Sequence, residues 1–311
     1  MKLLALLIGL IVERLATQLF HLRRLRWIDR AIDSGFRLGK RFANWPAVIP
    51  IVILAIMMIL PVLLVRLMVS PEFLARFGLV DLWFSLPYFV LAIVVLFFSL
   101  GPKDIGEGVA EYCRAVEDED AERIDETAKA LIEGDVPDSP EERIHRVEES
   151  VCIQANNRLF AVVFWFVLLG PVAAWAYRVT DLIRRRAVFN GLRQDDVGDN
   201  AVLAAAELLH GWLAWIPARL TAIGYAMSGS YDGALSAWRK ADDGDRLTQH
   251  TRSEQLLARV GVGALALGEI EGETISERCV RGAKAANGLV IRLFIIWASV
   301  ISLMTLSGQA L

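Results

Sequence analysis

Two amides and a guanidinium, Asn156-Asn157-Arg158, stand directly before an apolar run from Leu159 to Leu169. On a helix, Glu149, Cys152, Asn156 and Phe160 share one face, so a carboxylate and an amide point the same way just below that run. Such a stripe can hold a polar ligand, or simply cap and solvate a helix entering a membrane. A second constellation is "WIPARL". Pro217 lies inside an apolar helical pattern and frees the carbonyl of Leu213, and Arg219 follows it. An arginine at that depth is costly and marks a candidate functional site. Its planar fork suits a carboxylate or phosphate, and it also suits a structural pair with Glu207 or Glu13. Glu13 and Arg14 end the first apolar run, either as ordinary charges leaving the membrane or as an inward-facing pair.

Other signals are less specific. "GFRLGKR" (Gly35–Arg41) resembles a phosphate loop, but it is one residue short, lacks a hydroxyl after Lys40 and follows no strand. Glu142 with His145 and Glu207 with His210 have the ExxH spacing of di-iron bundles, yet one pair falls in a polar helix and the other in an apolar one. No metal is expected, and no cofactor is indicated. Arg184-Arg185-Arg186 reads as a solvated or headgroup-contacting face, or as an anion holder. Cys113, Cys152 and Cys279 are scattered and are expected as reduced thiols.

The elements that must position these groups are helices. The 311 residues are 55% hydrophobic yet 22% charged, with a mean hydropathy of +0.44, which fits a membrane protein with substantial water-exposed parts. A net charge of −3 gives no basic field for nucleic acid. Ala47–Val69, Val80–Leu100 and Leu159–Tyr177 are long enough to cross the hydrocarbon, and Leu289–Leu306 is a fourth such segment. Gly170-Pro171 can break the third and turn it back to the same side. Residues 1–12 read as a retained helix rather than a cleaved leader. No strand pattern is visible. The expectation is an all-α fold, a polytopic membrane helical bundle with a cytoplasmic helical hairpin. Residues 1–100 hold membrane helices with a basic cytoplasmic loop at 14–46. Residues 101–158 form the acidic hairpin, with a helix start at Ser139-Pro140-Glu141-Glu142. Residues 159–311 return to the membrane, with a broken helix at Pro217 and a last membrane helix at 289–306.

Four blocks carry a resemblance: "LIVER", "SLGPKDIGEGVAEYCRAVEDED", "ANNRLFAVVFWFVLLGPVAAWAYRVTD" and "LAWIPARLTAIGYAMSGSYDGALSAW". Along nearly the whole chain it resembles the AmpE family, inner-membrane signalling proteins associated with β-lactamase induction. More distantly it is similar to the CobD/CbiB family, whose members form an amide on cobyric acid. Glu149-Ser150 with Asn156 or Asn157, Phe164-Trp165, and Ile216-Pro217-Ala218-Arg219 match that family's pattern. Its Ser-Pro-Asn-Ala-Gly element is absent, the corresponding region reading "TQHTRSEQLLARVGVGALALG". The resemblance implies a multi-pass protein of the cell inner membrane that modulates the response to β-lactams. It implies a small polar or anionic ligand, such as a cell-wall recycling product, and a functional link to a cell-wall amidase of the AmpD type. The implied ligand set is Glu13, Arg14, Glu149, Asn156, Asn157, Arg158, Arg178, Asp181, Pro217 and Arg219, at the cytoplasmic side of the bundle. Whether amide-forming catalysis of the CobD/CbiB kind persists stays open at this point.

Overall fold

A computed structural model describes residues 26–40, 46–68, 85–100, 104–133, 135–191, 197–241 and 249–306. Among the described residues every regular element is a helix, as the sequence pattern requires. In chain order these are α1 (Arg26–Lys40), α2 (Val48–Met68), α3 (Ser85–Ser99), α4 (Ile105–Glu117), α5 (Ala121–Leu131) and α6 (Pro140–Ala155). A single π-helical turn (Asn156–Phe160) follows, then α7 (Ala161–Leu169), α8 (Pro171–Gly191), α9 (Val197–Ser228), α10 (Tyr231–Ala241), α11 (Gln249–Leu265) and α12 (Ile275–Leu306). Among the described residues, four helical stretches are long and apolar enough to cross a membrane: Val48–Met68, Pro140–Leu169, Ala201–Ser228 and Ile275–Met304. Of the expected segment Val80–Leu100, residues 80–84 lie outside the described residues, and the rest is helical over Ser85–Ser99.

Local chemistry sets the boundaries. Asp104 accepts from the Gly106 N–H and Asp120 from the Arg123 N–H, each capping its helix. Thr274 and Glu277 exchange side-chain and backbone bonds at the start of α12, a reciprocal capping box. Pro140 occupies the first turn of α6, where its missing N–H costs nothing. The acidic stretch is two helices, α4 and α5, because Asp118-Glu119-Asp120 interrupts it with Glu119 at φ 54°. Gly170, at φ 88°, ends α7, and Pro171 starts α8. The helices on either side of Gly170 pack on each other.

The chain forms two compact units. The first comprises Met1–Pro102, Ala161–His210 and Ala298–Leu311. Its core joins Ile28 and Ile32 of α1, Ile51 of α2 and Val179 and Ile183 of α8. Long-range polar contacts pin it. Trp175 Nε1 donates to the Met58 carbonyl at 3.0 Å. Arg186 grips Asp33 with Nε at 2.7 Å and Nη2 at 2.5 Å. The residues resembling a phosphate loop, Gly35 to Lys40, are the last part of α1, with Gly35 packed against Leu54.

The second unit comprises Lys103–Phe160 and Gly211–Trp297. Its core includes Tyr112, Val151, Phe160, Tyr225, Val260 and Leu293. Glycines permit close helix approach where a Cβ would strike backbone, as at Gly233 against the Gly263 carbonyl and at Gly229 against that of Ala264.

Candidate functional site

In the first unit, two turns of α8 gather charge. Asp181 is fully buried. Arg178 Nη1 donates to its Oδ2 at 2.7 Å, Arg184 Nη2 to its Oδ1 at 3.3 Å and Arg185 Nε to its Oδ1 at 3.1 Å. The spacings i−3, i+3 and i+4 make this convergence possible on a single helix. Arg178 and Arg184 are each 3% exposed. From α9, the buried His210 brings Nε2 to 3.8 Å from Asp181 Oδ1. Its ring lies against Tyr177, with centroids 5.3 Å apart. Burial pushes the Asp181 carboxyl up, but Arg185, Arg178 and Arg184, then His210, outweigh it and hold the group well below the usual carboxylate range. Arg186 points elsewhere, and its hydrogen bond holds the Asp33 carboxyl below its ordinary value against the opposing effect of burial. The arginine run at 184–186 is therefore not one solvated face: Arg184 is buried, Arg185 joins it on Asp181, and Arg186 ties α8 to α1.

In the second unit, the π-helical turn falls on Asn156–Phe160. Such turns insert an extra residue and re-aim side chains. Asn156 and Asn157 are both buried. Thr221 of α9 donates to Asn156 Oδ1 at 3.0 Å, and Asn156 Nδ2 donates to Asn157 Oδ1 at 3.0 Å. Tyr225, one turn beyond Thr221, donates to the Cys152 carbonyl at 2.8 Å. Arg158 is half-buried.

In the regular helix before this turn, the carboxylate that faces inward is Glu148 rather than Glu149. Glu149 is half-exposed and meets Arg146 at 3.4 Å. Glu148 is buried instead, with its Oε1 2.6 Å from Arg278 Nη1. Gly282 of α12 makes room for it, since a Cβ there would overlap the Glu148 carboxylate. Sequence reasoning missed Glu148, and the signal available was its four-residue spacing from the buried Cys152.

Arg219 is half-exposed and lies along its own helix. Its Nη1 donates to the Trp215 carbonyl at 3.1 Å and its guanidinium sits 4.1 Å from the Trp215 ring centroid. Asn156 instead meets α9 through Thr221, on another side of that helix. Pro217 is buried within α9. Glu13 and Arg14 lie outside the described residues. Arg178 and Asp181 belong to the first unit, and Glu149, Asn156, Asn157, Arg158, Pro217 and Arg219 to the second. Of the two ExxH pairs, His210 neighbours Asp181, and His145 Nδ1 stands 3.8 Å from Glu148 Oε2.

The first cluster is built of guanidiniums, the groups whose planar forks match carboxylates and phosphates. The second, built of amides and hydroxyls, can exchange hydrogen bonds with a neutral polar group.

The chain was compared with known proteins. The chain is 28% identical to the cobalamin biosynthesis protein CobD of Stutzerimonas stutzeri over 148 residues, 47% of each chain. It is 24% identical to the protein of the same name from Chromobacterium violaceum over 176 residues, 56% of this chain and 54% of the other. The chain thus spans about half the length of the curated relatives it matches. No solved structure matches it. With four helices of membrane-crossing length among its described residues this is a multi-pass membrane protein, and since the model of the regulatory signalling modulator protein AmpE matches residues 1–311, the chain belongs to the AmpE family.

Proposed function

We propose that this protein is an inner-membrane signalling modulator of the response to β-lactam antibiotics, and that it acts by binding a small anionic ligand. The observation that carries the reading is the convergence of Arg178, Arg184 and Arg185 on the buried Asp181. Buried guanidiniums are expensive unless a specific arrangement uses them. A carboxylate or phosphate group on the ligand suits those forks, and a cell-wall recycling product that bears one fits the family's signalling role. A functional link to a cell-wall amidase of the AmpD type would place such a product upstream. Asn156, Asn157 and Arg158 are proposed as a second set of polar contacts, within their own unit.

The test is β-lactamase induction in a strain lacking its own copy, with membrane levels of each variant matched. Arg185→Ala is expected to abolish the response, and Arg185→Lys to fail to restore it, because an ammonium cannot reproduce the fork. Full response from Arg185→Lys would overturn the reading.

A second reading is amide formation of the CobD/CbiB kind, favoured by the two CobD relatives. It requires ATP hydrolysis that depends on paired amine and carboxylate substrates. Robust turnover of that kind by the purified chain would put this reading first.

A further inference from the structure

In α1, Ile28 and Ile32 are buried and Phe36 packs on the same core, while Arg30, Ser34 and Arg37 are exposed. Positions 30, 34 and 37 recur at helical spacing, so the two guanidiniums share one face and the apolar groups occupy the opposite one. Arg37 Nη2 donates to Ser34 Oγ at 3.2 Å, which holds it on that exposed face. Asp33, between the two arginines in sequence, turns to α8, where Arg186 Nε donates to it at 2.7 Å and Asn190 Nδ2 at 3.4 Å. The charge of Asp33 is thereby matched within the fold. Between Glu13 and Trp45 the sequence carries eight Lys and Arg against two Asp, a local charge of +6 in a chain whose total is −3.

This basic face lies beside the start of a membrane-crossing helix. α2 begins at Val48, and Gly35 of α1 packs against Leu54. Leu54 is six residues into α2, about 9 Å along its axis. Amphipathic helices at a membrane surface sit at a similar level, with their apolar side about 5–10 Å into the boundary between headgroups and acyl chains. Phe189 of α8, next to the Asn190 that reaches Asp33, is 41% exposed, and the Arg186 guanidinium lies 4.9 Å from its ring centroid. A lipid interface accommodates such a pair, the ring toward the acyl chains and the charge toward the phosphates.

We infer that the exposed face of α1 docks on anionic phospholipid headgroups, with Arg30 and Arg37 meeting lipid phosphates and Phe189 entering the upper acyl region beside them. Each basic group near an anionic surface strengthens the association about fivefold, so losing both arginines weakens it on the order of 30-fold. The charges are exposed, so the attraction fades at high salt. It does not depend on what the Asp181 cluster binds.

The experiment uses the purified full-length chain in nanodiscs of phosphatidylcholine alone, and of phosphatidylcholine with phosphatidylglycerol at two to one. Hydrogen exchange of the peptide covering α1 reads the docking locally. Phosphatidylglycerol is expected to slow exchange in α1, and salt at about 1 M to remove the effect. Arg30→Gln combined with Arg37→Gln is expected to exchange like the unaltered chain in phosphatidylcholine and to lose the slowing by phosphatidylglycerol. If the double variant does not fold, Arg30→Gln alone decides, and it is expected to lose part of the slowing. Equal slowing in the variant and the unaltered chain overturns the inference, as does an α1 that does not respond to phosphatidylglycerol. The same slowing from inorganic phosphate added to phosphatidylcholine nanodiscs also overturns it, since the face would then serve a soluble anion.

Discussion

Thr221 donates its hydroxyl to Asn156 across 3.0 Å, joining two helices whose contacting residues are 65 apart in sequence. The acceptor is fully buried and sits in the π-helical turn. Thr221→Val keeps the shape of the side chain and removes the donor. An unsatisfied buried acceptor costs about 1–3 kcal/mol. Thermal unfolding in detergent is expected to show Thr221→Val destabilised by that order and Thr221→Ser close to the unaltered protein. Equal stability of the Val variant would show that the bond contributes nothing.

Gly282 and Gly288 lie on the same helix and face opposite demands. A Cβ at Gly282 would overlap the Glu148 carboxylate, which Arg278 holds at 2.6 Å, whereas a Cβ at Gly288 meets nothing within 4 Å. Gly282→Ala is expected to force Glu148 off its partner and to destabilise by about 1–3 kcal/mol, the usual cost of overpacking. Gly288→Ala is expected to be neutral or to stabilise by up to ~1 kcal/mol, since alanine is the better helix former. Paired melting curves check both, and the same sign for the two variants would contradict the packing described.

These two cases show what the sequence made legible. The helix Val48–Met68 was readable almost to the residue, because an apolar run flanked by Trp45 and followed by polar residues has one interpretation in a bilayer. The start of α6 at Pro140 was equally plain from its proline and acidic first turn. The π-helical turn was not, since nothing in Asn156-Asn157-Arg158 announces an inserted residue. In the regular helix before it, Glu148 and Glu149 stand four and three residues from Cys152, so spacing alone does not single out Glu148, which is the buried one. The break at Asp118-Glu119-Asp120 was masked by acidic residues that suit both helix and cap. Arg219 was expected to face a ligand because its flanks are apolar. Which face of α9 it occupies depends on Thr221, Tyr225 and Ala218 packing inward, which a single helix's pattern does not fix.

The Cys113 thiol is pushed up to about 11 by burial. At neutral pH the thiolate fraction is then on the order of 10⁻⁴, and the thiolate is the reactive form. Folded protein at pH 7 is expected to resist maleimide at Cys113, and denatured protein to label fully. Mass spectrometry of the peptide after timed quenching reads the result. Rapid labelling of the folded chain would mean the helix α4 opens readily.

The Asp33–Arg186 pair predicts a particular pH dependence. The arginine's hydrogen bond holds the Asp33 carboxyl below its ordinary value. A group whose folded value is lowered stabilises the fold at pH above its unfolded value, about 3.9 for Asp, and loses that contribution as pH falls through the lowered folded value. The pair is partly exposed, so the effect is modest and weakened by salt. Asp33→Asn is expected to melt below the unaltered protein by a constant margin from about pH 8 to 5, and the margin is expected to shrink below about pH 4 as the native carboxyl also becomes neutral. Asp181 titrates in the same direction in both proteins and cancels from the difference. A margin that widens with acidification would reverse the sign of the argument and show that Arg186 does not stabilise the charged form of Asp33.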